Sequence, residues 1–193
     1  MRKIIASQYL SLDGVLEDPV GMEDTGLGNW TGPFSRGPKG DAFKHDELYS
    51  SEAVLLGRRT YDGFAAVWPQ VNDEAGFAKR MNALPKFVVS TTLKTADWTN
   101  STIIDKDVVG HVKKLKAEPG GDIIVYGSAM LLHTLMPAGL VDQYNLMIYP
   151  TVLGRGVRLF PQDWKGAFKL EEYTEFGSGI IMLKYTSAAR EYM

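Results

Sequence analysis

Cysteine is absent from the 193-residue chain. Disulfides, thiolate metal sites and thiol nucleophiles are thereby excluded. Histidine is scarce: His45, His111 and His133 stand far apart without ligand spacing, so no metal site is expected. No apolar run approaches a membrane span, and the opening MRKIIASQYLSLDG is interrupted by Ser7, Gln8 and Ser11, unlike a secretory leader. An excess of either charge is lacking too. With 21 basic and 23 acidic residues the formal net charge is −2, which gives no ground for a nucleic-acid or anionic-membrane partner. A cytoplasmic setting and a small-molecule partner are the expectation. No G-x-G-x-x-G follows a strand, and neither G-x-S-x-G nor a Walker A sequence occurs. The usual dinucleotide fingerprint, nucleophile elbow and phosphoryl-transfer loop are therefore missing.

What is present reads as one globular domain over residues 1–193, at 45% hydrophobic and 23% charged residues. Apolar, β-branched runs alternate with helical patterns, the signature of an α/β domain with a mostly parallel sheet. Strands are predicted over 3–10, 53–56, 86–90, 101–104, 122–126 and 141–149. Helices are predicted over 41–51, 60–66, 73–83, 106–117 and 128–136. Residues 167–186 read as a C-terminal hairpin turning at Gly177-Ser178-Gly179, which makes the sheet mixed. Segment 17–40 has neither period, is rich in Gly and Pro, and contains Trp30 and Phe34. A loop of that length reads as a site cover or binding loop.

In an open α/β sheet, ligands bind beyond the carboxyl ends of the strands. Three such ends suit an anion. In LLGRRT, Gly57 ends a strand and Arg58 and Arg59 open a helix. Cations there oppose the helix dipole unless an anionic ligand reverses the sign, though pairing with Asp62 would also accommodate them. In FVVSTTL, Ser90, Thr91 and Thr92 either cap a turn or bond a phosphate or ribose. In DIIVYGSAM, Gly127 and the amides of Ser128, Ala129 and Met130 suit a pyrophosphate, or else Ser128 simply caps a helix. Together the three fit a phosphorylated dinucleotide laid along the sheet edge.

The segments LSLDG, LLGRRTY, LPKFVVSTTL, IIVYGSAMLLHTLMPAGLVDQY and PTVLGRGVRLFP, in this order over about residues 2–186, resemble the dihydrofolate reductase-like superfamily. More narrowly, the chain looks like stand-alone relatives of the C-terminal reductase domain of bifunctional riboflavin-biosynthesis enzymes. That resemblance implies a mixed eight-stranded sheet, NADPH as cofactor, hydride transfer to a heterocyclic or ribosyl-imine acceptor, and a homodimer. It places the extra phosphate of NADPH on Arg58 or Arg59 with Thr60, and the adenosine end on Ser90 and Thr91. The pyrophosphate falls on Gly127, Ser128 and Ala129, and the nicotinamide borders Ala6, Asp13 and Gly14. Asp41 matches the carboxylate with which folate reductases hold and protonate their substrate, and equally suits a helix cap. Trp30 and Phe34 are candidates to stack on a flat substrate ring. The acceptor of riboflavin biosynthesis, 5-amino-6-(5-phosphoribosylamino)uracil, is one implied substrate. Where that family carries Glu-Gly-Gly this chain has Tyr126-Gly127-Ser128, so an NADPH-binding module without turnover is the alternative.

Overall fold

The computed structural model describes residues 1–188; the last five residues of the expected domain lie outside the described residues. Among these residues eight strands form one sheet: β1 Ile4–Leu10, β2 Ser51–Gly57, β3 Lys86–Val89, β4 Ser101–Ile104, β5 Asp122–Tyr126, β6 Gln143–Ile148, β7 Phe168–Glu175 and β8 Ile181–Ser187. Their order is β4-β3-β2-β5-β1-β6-β8-β7. The first six in that order are parallel, and β8 pairs antiparallel with both β6 and β7. Among the described residues five α-helices flank the sheet: α1 Gly37–Ser50, α2 Arg58–Val67, α3 Phe77–Ala83, α4 Val108–Ala117 and α5 Ala129–Leu135. This is the expected mixed sheet with a C-terminal antiparallel hairpin.

Alternate residues of the central strands serve opposite faces. Ile4, Ala6, Leu55, Ile123 and Val125 pack with Val112 and Leu115 of α4 and with Leu131, Leu132 and Leu135 of α5. Val54, Leu56, Val88, Ile124 and Tyr126 pack with Leu48 of α1, Tyr61 of α2 and Met81 of α3. Burial on both faces is why β2, β3 and β5 read as unbroken apolar runs. A third cluster joins Trp30 of the 17–36 segment to Met147, Tyr149, Phe176, Ile180 and Met182. The edge strand β7 is mostly exposed, and its charged residues and a bulge between Leu170 and Glu172 discourage further pairing.

Two helices start four residues away from the predicted position. α1 begins at Gly37, with Pro38 in the first turn, where the missing N–H costs nothing. Asp41 is therefore inside the helix and not its cap; the cap position is Arg36, without a side-chain cap bond. α3 begins at Phe77 because Asp73, the predicted first residue, stays outside and caps it. Its carboxylate accepts the amides of Phe77 (2.8 Å) and Ala78 (2.7 Å). The Gly177–Gly179 turn does more than reverse the chain. Gly177 N–H donates to Arg36 O (2.9 Å), Ser178 Oγ accepts Ser35 N–H (3.0 Å), and a Cβ on Gly177 would meet Ser35 O at 2.5 Å. The hairpin thus clamps the residues that launch α1.

Candidate functional site

The three strand ends singled out in the sequence are neighbours, because β3, β2 and β5 are consecutive and parallel. Gly57 aligns with Val89, one residue before Ser90. Ser128 does not cap α5 with its side chain. Its Oγ accepts Gly57 N–H (2.7 Å) and donates to Tyr126 O (2.9 Å), tying the β2 end to the β5 end. Gly127 has φ +51, and a Cβ on it would lie 3.0 Å from Thr60 Oγ1, which accepts Ser128 N–H (3.2 Å). The turn is therefore tight against α2, and glycine is required there.

Arg58 and Arg59 open α2 on the exposed side of this edge. Arg58 Nε donates to Asp62 (2.6 Å) and its Nη1 to Thr92 Oγ1 (3.3 Å); its side chain is 40% exposed. Arg59 is 72% exposed, with a carboxylate oxygen of Glu17 at 3.6 Å. Ser90 Oγ accepts the amides of Thr92 (3.2 Å) and Leu93 (2.9 Å), so it caps a turn, while Thr91 is exposed. Ala129 is half-buried and Met130 exposed at the start of α5.

Beside Thr60 and Gly127 a cavity of about 750 Å³ opens between the sheet, α1, α2 and the 17–36 segment. That segment is the expected cover, ordered by its own bonds. Buried Asp18 accepts the amides of Glu23 (2.9 Å) and Thr25 (3.2 Å) and the Thr25 hydroxyl (3.0 Å). Thr60 Oγ1 donates to Glu23 (3.1 Å), fastening the cover to α2. Burial raises the Glu23 pKa; the Thr60 bond pulls it back, and nearby Asp18 adds to the rise.

A row of polar groups lies under the cavity. Register pairs Ser7 of β1 with Tyr126 of β5 on one side and Asn145 of β6 on the other. Glu47 of α1 meets this row: Ser7 Oγ donates to it (2.8 Å), as do Asn145 Nδ2 (2.7 Å) and Lys44 Nζ (2.5 Å). Lys44 Nζ also donates to Ser7 Oγ (2.7 Å) and sits 4.4 Å from the Tyr126 ring centre. Lys44, Ser7, Gln8 and Tyr126 line the cavity. Burial, and then Glu47, push the Tyr126 hydroxyl well above its ordinary pKa, so it stays an O–H.

Asp41 lines the cavity but is no buried carboxylate. Its side chain is 65% exposed and ion-paired with Arg36 at 2.9 Å, whose Nη1 donates to Tyr9 OH. The buried carboxylate of α1 is Glu47, two turns on. Phe34 lines the cavity; Trp30 does not, being packed edge-on against Tyr149 with its Nε1 donating to Glu17 O (2.9 Å). Ala6 is fully buried in the sheet. Asp13 accepts Ser11 Oγ–H (2.6 Å) and the amides of Leu153 (3.1 Å) and Gly154 (2.8 Å), bonds that hold its pKa down near 2. Gly14, at φ +80, closes that turn. Asp13 and Gly14 thus join the β1 end to the 150–159 loop and line no part of the cavity. Among the described residues no group of three or more His, Asp or Glu side chains is placed to hold a metal, and no helix is long and apolar enough to cross a membrane.

A mixed sheet of this order, with glycine- and hydroxyl-ended parallel strands beside a cleft between α1 and α2, has the dihydrofolate reductase-like fold. It superposes on dihydrofolate reductase from Enterococcus faecalis complexed with NADP(H) and RAB-propyl at a TM-score of 0.57 and 14% identity, covering 97% of both chains. A putative riboflavin biosynthesis protein from Shewanella sp. PV-4 gives 0.77 at 17% identity, covering 97% of this chain and 99% of that one. A pyrimidine reductase-like protein from Corynebacterium diphtheriae gives 0.65 at 13%, covering 97% and 92%. Residues 2–182 match the RibD C-terminal domain, and the chain belongs to that family, a reductase-type one. It is 30% identical over 188 residues to the uncharacterized protein YyaP of Bacillus subtilis (strain 168), covering 95% of this chain and 94% of that protein. Identity to YwjB of the same organism is 24%, covering 97% and 99%.

Proposed function

We propose that the protein is an NADPH-dependent reductase that delivers a hydride to a small heterocyclic or ribosyl-imine acceptor. The observation that carries this reading is the side-by-side placement of the β3, β2 and β5 ends, meeting the cavity at Thr60 and Gly127. In this reading NADPH lies along that edge, with Arg58 and Arg59 for the 2′-phosphate, Ser90 and Thr91 for the adenosine end, and the Gly127–Met130 turn for the pyrophosphate. The glycine cradle is the fit criterion, since a Cβ at Gly127 would crowd Thr60. NADPH, when bound, supplies the hydride.

The chain itself has to place the acceptor, exclude water and supply a proton. Cover residues Met22 and Phe34 with Phe64 and Trp68 wall the cavity. Lys44 Nζ, with two of its three protons given to Ser7 and Glu47, keeps one for an acceptor nitrogen. Asp41 at the rim orients Arg36. One feature favours a module that binds without turnover: the α1 carboxylates near the cavity, Asp41 and Glu47, are already ion-paired. Fluorescence titration with NADPH and NADH, followed by cofactor-oxidation assays with dihydropteridine and aminouracil acceptors, tests both readings. Absence of NADPH binding defeats both, and binding without oxidation of any acceptor leaves the module.

A further inference from the structure

The cations on the cavity wall are already matched. Arg36 is paired with Asp41 (2.9 Å) and Lys44 with Glu47 (2.5 Å). The wall also carries Asp18, Glu23 and Asp73, and among the described residues its one further basic group is half-buried His45 beside Asp46. Around these polar groups the surface is apolar: Met22, Phe34, Phe64, Trp68, Phe77 and Met81 line it. A phosphate entering here would find no unpaired guanidinium or ammonium and several carboxylates. Between unit charges about 4 Å apart, repulsion in a site of intermediate dielectric amounts to several-fold to hundreds-fold in affinity. A flat ring with little charge would instead be stacked and desolvated by the aromatic wall.

We propose that the acceptor is an uncharged or cationic, largely apolar ring compound without a phosphate, and not a phosphoribosyl pyrimidine. This rests on the reductase reading for the identity of the cavity as the acceptor site. It goes beyond that reading because it separates the two acceptor types a reductase of this fold could take. The phosphate-binding arginines Arg58 and Arg59 lie outside the cavity, so they serve the cofactor alone.

Trp68 on the wall provides a readout that needs no turnover. The protein, with and without saturating NADPH, is titrated with 6-methyl-7,8-dihydropterin and with 5-amino-6-(5-phosphoribosylamino)uracil while tryptophan emission is followed. Trp68→Phe serves as the control that assigns the quench. The neutral bicycle is expected to quench and the phosphorylated compound to bind at least about tenfold more weakly. Asp41→Asn, which releases Arg36, is expected to bring the phosphorylated ligand up about fivefold relative to the neutral one. Equal or tighter binding of the phosphorylated compound overturns the proposal, and so does the absence of any Trp68-dependent quench by the neutral one. Either result leaves the NADPH titration, which is read separately, to decide the reductase reading.

Discussion

Replacing Arg58 by alanine tests the proposed grip on the 2′-phosphate, and the structure sets the size of the effect. In the protein as it stands Arg58 spends its guanidinium on Asp62, one helical turn away at 2.6 Å, with both side chains two-fifths to one-half exposed. Such a surface pair within a helix contributes about 0.3–0.5 kcal/mol. A charge-assisted bond to a phosphate contributes about 1.5–3 kcal/mol. Exchanging one for the other leaves a net ~1–2.5 kcal/mol, a loss of about 5- to 70-fold in NADPH affinity. NADH, which lacks that phosphate, should lose less than about twofold, and folding stability should move by less than ~0.5 kcal/mol. Arg59, more exposed and only loosely near Glu17, has further to travel and more freedom to lose. Arg59→Ala is expected to weaken NADPH about 3- to 10-fold. Asp62→Asn should tighten NADPH slightly by freeing Arg58. All three effects should shrink at high salt. Fluorescence titrations of both cofactors against each variant, at low and high salt, give the full set. An equal loss of NADH and NADPH on Arg58→Ala would refute the assignment and leave the arginine as a helix-surface residue.

Gly127→Ala should destabilise the protein by about 1–2 kcal/mol, since an L-residue is strained at φ +51, and should weaken NADPH by displacing Thr60; urea unfolding and the same titration check it. Glu47→Ala leaves the Lys44 ammonium buried and unpaired, an expected loss of about 3–5 kcal/mol; Lys44→Gln with Glu47→Gln, which keeps the hydrogen bonds without charges, should recover most of that yet lose turnover while NADPH still binds. Lys86, with no exposed surface, donates to the carbonyls of Met81 (3.1 Å), Asn82 (2.9 Å) and Leu84 (2.7 Å) at the end of α3 and lies 4.5 Å from the Trp98 ring centre. Burial pushes its pKa down to about 8 from an ordinary 10.5, so between these values the unfolded chain binds more protons and stability should rise with pH. Chemical denaturation of the protein and of Lys86→Met, kept below pH 10 where the buried tyrosines begin to oppose it, should show that slope in the first and not in the second.

The strands were legible because the two-sided burial of β2, β3 and β5 leaves continuous apolar runs, and the punctuation at Gly57 and Gly127 marks where they stop. The start of α1 was not. Gly37-Pro38 reads as the end of a loop, although proline fits the first turn of a helix as well as it fits a breaker. Behind that start, the inward face of α1 reads Gly40, Lys44, Glu47, Leu48. The spacing is helical, but two of the four positions are charged, so an apolar period cannot reveal it. The cap reading of Asp41 failed with that start: the residue lies inside the helix at the cavity rim, and only burial distinguishes it from Glu47. Ser128 shows a different limit. A hydroxyl ahead of a helix reads as a cap, yet its partner is the amide of Gly57 on another strand.

Ser7 is the sharpest instance. Within β1 it is a polar residue in an apolar run, a break without meaning on its own. The parallel register sets it between Tyr126 and Asn145, and the helix that follows the cover brings Lys44 and Glu47 above the row. Each of these residues taken singly is costly to bury, and none has a partner close by in sequence except the Lys44–Glu47 pair. Their cost is offset only when the sheet is assembled, so the row is a product of strand order and not of local pattern. For that reason the strand–turn–helix segments at the β2, β3 and β5 ends, each contiguous in sequence, could be recognised from it, whereas the polar floor of the cavity could not.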